Sequence, residues 1–336
     1  MITPEIKECF HNKNILVTGG TGLVGREVCR ILLEWGSKVT SISMDDLEPT
    51  LGVNYWKGDL FDFNLCKKVI RGFDFVFHLA GVKGSPLMSN LRPAKFFVPV
   101  VMMNTNVLEA AKLNAIPRLV YTSSIGAYKF QSTFSEDSVF SQGKYETPMD
   151  GFPGWAKLIG EMQIETYRIT NPFTVDKWAI IRLGNTYGPG DNFDPDNAMV
   201  IPSLIAKIAR GDNPVSVIGD GRQVRDFLYS TDAAMGIILA AFHTPPNFIN
   251  VGSGVGVSID TLLQTLQKVQ NFRFTYDNTN FSDTSSYREK VMDISYAHEF
   301  MHFVPTIPLS EGLEKTFNWY LSHSQEHLRK ANYFRV

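Results

Sequence analysis

The chain has 336 residues, of which 44% are hydrophobic, enough for one large or two modest domains around a sizeable core. Thirty-two Lys plus Arg against 34 Asp plus Glu leave a formal net charge of -2. That balance excludes a general nucleic-acid binder, which carries a basic excess or stripe. Cys9, Cys29 and Cys66 have no metal-type spacing and cannot build a disulfide framework, so a reduced, cytoplasmic setting is expected. No apolar run approaches the roughly 20 residues of a membrane span, and Glu5, Lys7 and Glu8 interrupt any signal-peptide core.

The first predicted element is a short apolar strand at 14–17. A Gly-rich turn follows at 18–25. Leu23, Val24, Val28, Ile31 and Leu32 then recur at helical spacing until Gly36 ends the helix. A second strand at Lys38–Ser43 completes a βαβ unit, the mark of a parallel sheet. Further strands are expected at 74–80, 118–122 and 178–183, with helices at 106–113 and 155–167 between them. This alternation predicts an α/β fold with a doubly wound parallel Rossmann sheet. After Gly188 the texture changes to Gly- and Pro-rich loops, with a polar insertion at 191–197. Helices at 203–210, 230–243, 259–269 and 309–322 suggest a smaller C-terminal substrate-binding cap. The expected division is 11–186 for the dinucleotide domain, with 226–252 rejoining it, and 187–225 plus 253–336 for the cap.

Thr18-Gly19-Gly20-Thr21-Gly22-Leu23-Val24-Gly25 sits where a strand meets an amphipathic helix, the context a dinucleotide turn requires. Gly19 permits the turn, Gly22 lets backbone approach a pyrophosphate, and Gly25 lets the helix pack closely. The N–H groups around Leu23 and Val24 and the positive helix end would receive the anion. Ser43 ends the second strand and Asp45 follows it, with no Arg or Lys nearby. An acidic side chain there binds ribose hydroxyls, so NAD is expected. NADP stays open, because Ser43 could also bond a phosphate.

These residues resemble the extended short-chain dehydrogenase/reductase family, in its nucleotide-sugar epimerase/dehydratase branch. The resemblance runs over nearly the whole chain. It implies adenine contacts from Asp59 and Leu60, a cofactor-lining loop at Leu79, Ala80, Gly81 and Lys83, and Asn106 at the start of a helix. It implies a catalytic hydroxyl at Ser124 and a lysine at Lys157 that holds the nicotinamide ribose. For a nucleotide sugar it implies Asn185 and Val200, with Arg225 as pyrophosphate ligand and Arg288 as a second basic contact. A guanidinium suits the first of these basic roles because its planar fork binds two oxygens at once. The stretches Asn192-Phe193-Asp194-Pro195 and Val200-Ile201-Pro202 are similar to GDP-fucose-synthase-like members, which favours a GDP-linked substrate. The family also implies a homodimer, through helices near 92–114 and 154–169, or a larger homo-oligomer.

One position departs from the family. Its acid/base tyrosine lies four residues before the lysine, and here that residue is Pro153. Proline can neither donate nor accept a side-chain proton. Three readings are open: Ser124 and Lys157 act through water, Tyr145 or Tyr128 swings in, or catalysis is weak or lost. Ser124-Ile125-Gly126 also lacks the acidic pair of the 4,6-dehydratases. The expected activity is NAD-dependent oxidation of a nucleotide sugar at C4. A 4-epimerase and a non-catalytic binding protein are the alternatives.

Overall fold

A computed structural model describes residues 2–47, 50–129, 133–134, 148–277 and 289–331. The first half contains α1 (Pro4–Phe10), β1 (Asn14–Thr18), α2 (Leu23–Glu34), β2 (Lys38–Ser43), β3 (Asn54–Lys57), α3 (Phe63–Val69), β4 (Phe75–His78), α4 (Pro86–Leu91), α5 (Pro93–Leu113), β5 (Arg118–Ser124) and β6 (Thr133–Phe134). Next come α6 (Phe152–Thr170), α7 (Pro172–Val175), β7 (Trp178–Leu183), β8 (Asn185–Tyr187), α8 (Val200–Arg210), β9 (Val215–Ile218), β10 (Val224–Tyr229) and α9 (Ser230–His243). The remainder is β11 (Phe248–Val251), β12 (Gly256–Ser258), α10 (Ile259–Val269), β13 (Phe274–Asp277), β14 (Glu289–Met292), α11 (Ser295–Met301) and α12 (Leu309–His323). No described helix is long and apolar enough to cross a membrane.

Seven strands form one parallel sheet in the order β11-β7-β5-β4-β1-β2-β3. Successive side chains point to opposite faces, so each central strand feeds two cores. Leu16, Ile42, Val76 and Leu119 face α3, α5 and α6. Ile15, Val17, Phe77 and Ile181 face α2 and α9. Burial on both faces explains why these strands read as continuous apolar runs. The order reverses between β1 and β4, which opens a crevice at the strands' C-terminal ends.

The second sheet is smaller and mixed. It runs β12-β10-β14-β6, with β8 paired to β10, and a separate pair joins β9 to β13. Ile201, Leu204, Ile205, Val215, Leu262, Leu266 and Leu313 make its own core.

Two expectations need correction. The helix expected at 106–113 begins at Pro93, so Asn106 lies near its C-terminal end and does not open it. Pro93 occupies the first turn, where its missing N–H costs nothing, and Pro99 is accommodated inside the helix. The sequence reading also passed over β3. Its residues Asn54-Tyr55-Trp56-Lys57 are half-buried to exposed at the sheet edge and carry no apolar run.

Candidate dinucleotide and sugar-nucleotide site

Three glycines bring backbone segments into contact. Gly19 has φ +73°, and a Cβ there would lie 2.9 Å from Ala80 Cα. A Cβ on Gly25 would lie 2.2 Å from the Gly19 carbonyl oxygen. Gly22 is the N-cap of α2 and no side chain caps that end. The turn therefore presents bare backbone and a positive helix end to the crevice. It fits a dinucleotide pyrophosphate, because the close approaches that exclude side chains also leave the backbone exposed. Leu23 is buried and Val24 half-buried in the first turn of α2, so both would contribute through the backbone.

A buried polar chain ties this turn to α6. Thr18 Oγ1 accepts the N–H groups of Leu79 and Ala80, each at 3.2 Å. Its proton is then directed to His78 Nδ1 at 2.8 Å. The single ring proton of His78 then sits on Nε2, which donates to Asn104 Oδ1 at 3.0 Å. Asn104 Nδ2 donates to Tyr121 Oη at 2.9 Å, and Tyr121 donates to the Lys157 carbonyl at 2.9 Å. Burial, helped by Lys157, pushes the His78 pKa down to about 3. Folding thus favours neutral His78. Its contribution is complete above the unfolded value near 6.5 and declines as pH falls towards 3, by about 1.4 kcal/mol per pH unit. Urea unfolding between pH 7 and pH 5 should show this slope, and His78→Gln should flatten it. An unchanged slope in the variant would contradict the assignment.

At the C-terminal end of β2, Thr21 Oγ1 reaches Ser43 Oγ at 2.9 Å and Asp45 Oδ2 at 2.6 Å. The turn and the end of β2 are thereby locked together. Asp59 Oδ1 accepts the Phe61 N–H at 2.9 Å, and Leu60 is buried. Asn106 Nδ2 donates to the Leu60 and Phe61 carbonyls at 3.0 and 2.9 Å. Asn106 thus holds the Asp59-Leu60 loop from α5. Lys83 pairs with buried Asp191 at 2.5 Å, which ties the 81–85 loop to the polar insertion.

Ser124 ends β5, and its Oγ accepts the Gly126 N–H at 3.1 Å. Lys157, half-buried on α6, donates to the Thr122 carbonyl at 2.8 Å. Its Nζ lies 3.7 Å from where a Gly81 Cβ would stand. Burial lowers the Lys157 pKa to about 8, against the opposing charge of Glu161. Both side chains therefore gather at the C-terminal ends of β4 and β5, beside the turn. Pro153 occupies the first turn of α6, a position that suits proline. Tyr128 does not replace the missing tyrosine. It is 1% exposed, donates to Asn250 Oδ1 at 2.9 Å and stacks under Arg182. Tyr145 and Arg288 lie outside the described residues.

On the cap side, Asn185 Nδ2 donates to the Asp226 carbonyl at 3.1 Å. Arg225 lies two residues before Phe227, the register partner of Asn185. Burial lowers the Arg225 pKa, with Asp150 opposing. Its register partner Lys290 pairs with Asp150 at 2.9 Å. Val200 opens α8 and is half-buried, away from these charges in sequence and element.

The sequence reading missed two groups. Asp150 places Oδ2 2.3 Å from where a Gly126 Cβ would stand, so a carboxylate from another segment fills the space beside Ser124. Glu161 and Arg182 form a buried bidentate pair at 3.0 and 2.8 Å, and Ser123 Oγ also donates to Glu161. The signal for this pair was Arg182, the one charged residue of the otherwise apolar β7; Glu161 is one of four charged residues on α6 and does not stand out.

The sequence pattern of the NAD dependent epimerase/dehydratase family matches residues 15–252. A probable GDP-L-fucose synthase from Oryza sativa subsp. japonica is 30% identical, covering 92% of both chains. Among solved structures, an epimerase from Methanothermobacter thermautotrophicus superposes with a TM-score of 0.84 at 23% identity, covering 98% of each chain, and shows the fold. A UDP-glucuronic acid 4-epimerase from Bacillus cereus, in complex with UDP-glucuronic acid and NAD, has a TM-score of 0.76 at 25% identity. It covers 91% of this chain and 98% of that one. With the glycine turn, the parallel sheet and this match over most of its length, the chain belongs to the NAD dependent epimerase/dehydratase family.

Proposed function

We propose that the protein uses NAD to oxidise a nucleotide-linked sugar at C4, with GDP-linked sugars favoured. One observation carries the reading. Ser124 and Lys157 converge at the strand ends beside an open glycine turn, while position 153 offers no proton acceptor. NAD, when bound, supplies the hydride acceptor.

The rest falls to this chain. The Gly19–Gly25 turn binds the pyrophosphate and Asp45 the adenosine ribose. Lys157 holds the nicotinamide ribose and keeps positive charge at the reacting hydroxyl. Ser124 has no acceptor for its proton among the described residues, so it is free to orient that hydroxyl. Arg225 and Asn185 receive the diphosphate of the sugar nucleotide. As the C4 hydrogen leaves as hydride, the hydroxyl proton passes to water, and the carbinol becomes a ketone. A UDP-linked substrate and a 4-epimerase outcome are the second reading, favoured by the likeness to the UDP-glucuronic acid 4-epimerase. Exposed Val98 and Met102 on α5 and Phe152 and Ile169 on α6 support a homodimer or larger homo-oligomer.

The test is incubation with NAD and a panel of GDP- and UDP-linked hexoses, reading nicotinamide absorbance and keto-sugar mass. We expect turnover with at least one GDP-sugar. Lys157→Ala and Ser124→Ala should each lower it by about 10²–10³-fold, the usual loss when one group that positions or stabilises the reacting oxygen is removed. Unchanged turnover in both variants would contradict the assigned roles. Tight binding of sugar nucleotide and NAD with no product from any sugar would favour a binding protein.

A further inference from the structure

The 326–331 segment, a 3₁₀ turn at Glu326–Arg329 and the two residues after it, crosses the adenosine end of the dinucleotide site. Ala331 N–H donates to Asp45 Oδ1 at 2.8 Å, so this carboxylate is held from both sides, by Thr21 and by the strap. Asp46 N–H donates to the Arg329 carbonyl at 2.8 Å. Arg26, in the second turn of α2, donates to the Thr21 carbonyl at 3.0 Å and pairs with Glu326 at 2.6 Å. Lys330 donates to the Gly190 carbonyl at 2.5 Å and lies 3.4 Å from Glu326. Arg26 and Lys330 are thus already engaged, and the Asp45 carboxylate is fixed.

Beneath the strap lies a cavity of about 500 Å³, lined among others by Thr21, Arg26, Ser41, Tyr55 and Glu326. Ser41 Oγ and Arg26 Nε are buried there without a partner. Polar contacts over a cavity, and not apolar packing, therefore hold the strap down, so releasing it costs less than opening a core element.

We propose that this strap is a cofactor-specificity element that sets NAD over NADP. It does so by neutralising Arg26 through Glu326 and by fixing Asp45 through Ala331. A 2′-phosphate would meet the fixed Asp45 charge and an Arg26 already paired with Glu326. With the strap released, Arg26 is unmasked beside the turn and can pair with a phosphate. The inference rests on the dinucleotide-site reading above.

The test is calorimetric binding of NAD and of NADP to the full chain, to Glu326→Gln and to Ala331→Pro. Glu326→Gln removes the carboxylate charge that neutralises Arg26, and Ala331→Pro removes the N–H donated to Asp45. The full chain should favour NAD by tenfold or more, and each variant should cut that ratio on the order of tenfold, equivalent to about 1.4 kcal/mol. Glu326→Gln should do so chiefly by tightening NADP. A purely structural strap would weaken both ligands together and leave the ratio unchanged, and that result overturns the proposal. Full chain that prefers NADP also overturns it. Binding of neither dinucleotide overturns the site reading itself, and the proposal with it.

Discussion

Glu161→Ala is expected to lower the unfolding free energy by about 3–5 kcal/mol, the cost of leaving a buried charge without its partner. Arg182 is 2% exposed and Glu161 6%. The guanidinium carbon sits 4.2 Å from the Tyr128 ring centre and 3.9 Å from that of Phe248, so water cannot replace the lost carboxylate. Burial alone would depress the Arg182 pKa, and the Glu161 carboxylate more than offsets this, holding it above its ordinary value. Replacing both members with methionine should recover most of the loss, because the desolvation cost of both charges disappears together. Denaturant titration of the two single variants and the double variant checks this. A double variant as unstable as Glu161→Ala would contradict it. The consequence reaches the site: Glu161 lies one turn beyond Lys157 on α6, and Ser123, its hydrogen-bond donor, precedes Ser124.

Gly25→Ala is expected to abolish dinucleotide binding, with a loss of at least a hundredfold, or about 2.7 kcal/mol. The added methyl would meet the Gly19 carbonyl oxygen at 2.2 Å and Gly20 Cα at 2.8 Å. Both are backbone, so no side-chain rotation relieves the clash, and overpacking of this kind costs about 1–3 kcal/mol in stability. Either α2 moves off the sheet or the turn opens, and both displace the N–H groups that would receive the pyrophosphate. Calorimetric titration with NAD, beside a thermal melt to establish that the variant is folded, measures this. A folded variant with unchanged affinity would remove the turn from the cofactor site.

The parts legible in the sequence were those written in local pattern. The glycine turn, β2 and α9 follow from apolar periodicity and from glycines at positions where a Cβ cannot fit. Residues 248–251 pair with β7 at the edge of the large sheet, whereas β10 lies in the smaller one. Other features depend on contacts between distant segments, which no window of sequence contains. The His78–Asn104–Tyr121 chain joins three elements, and each residue alone reads as an ordinary buried polar group. Asp150 reaches the Gly126 turn only because the chain folds back there. The 326–331 strap meets Asp45 across nearly the whole length of the chain. Pro99 hid the first half of α5 from the apolar periodicity, since proline inside a helix normally signals its end, although the family resemblance implied a helix near 92–114.

The proposed function depends on NAD binding in the crevice above the β1–β4 switch point. The most direct measurement is to denature the purified protein and identify any released dinucleotide and its redox state by mass spectrometry and absorbance, with calorimetric titration of the native protein alongside. NAD or NADH held at one per chain, or NAD bound on addition in preference to NADP, is the expected result. A protein that releases no dinucleotide and binds neither NAD nor NADP would contradict it.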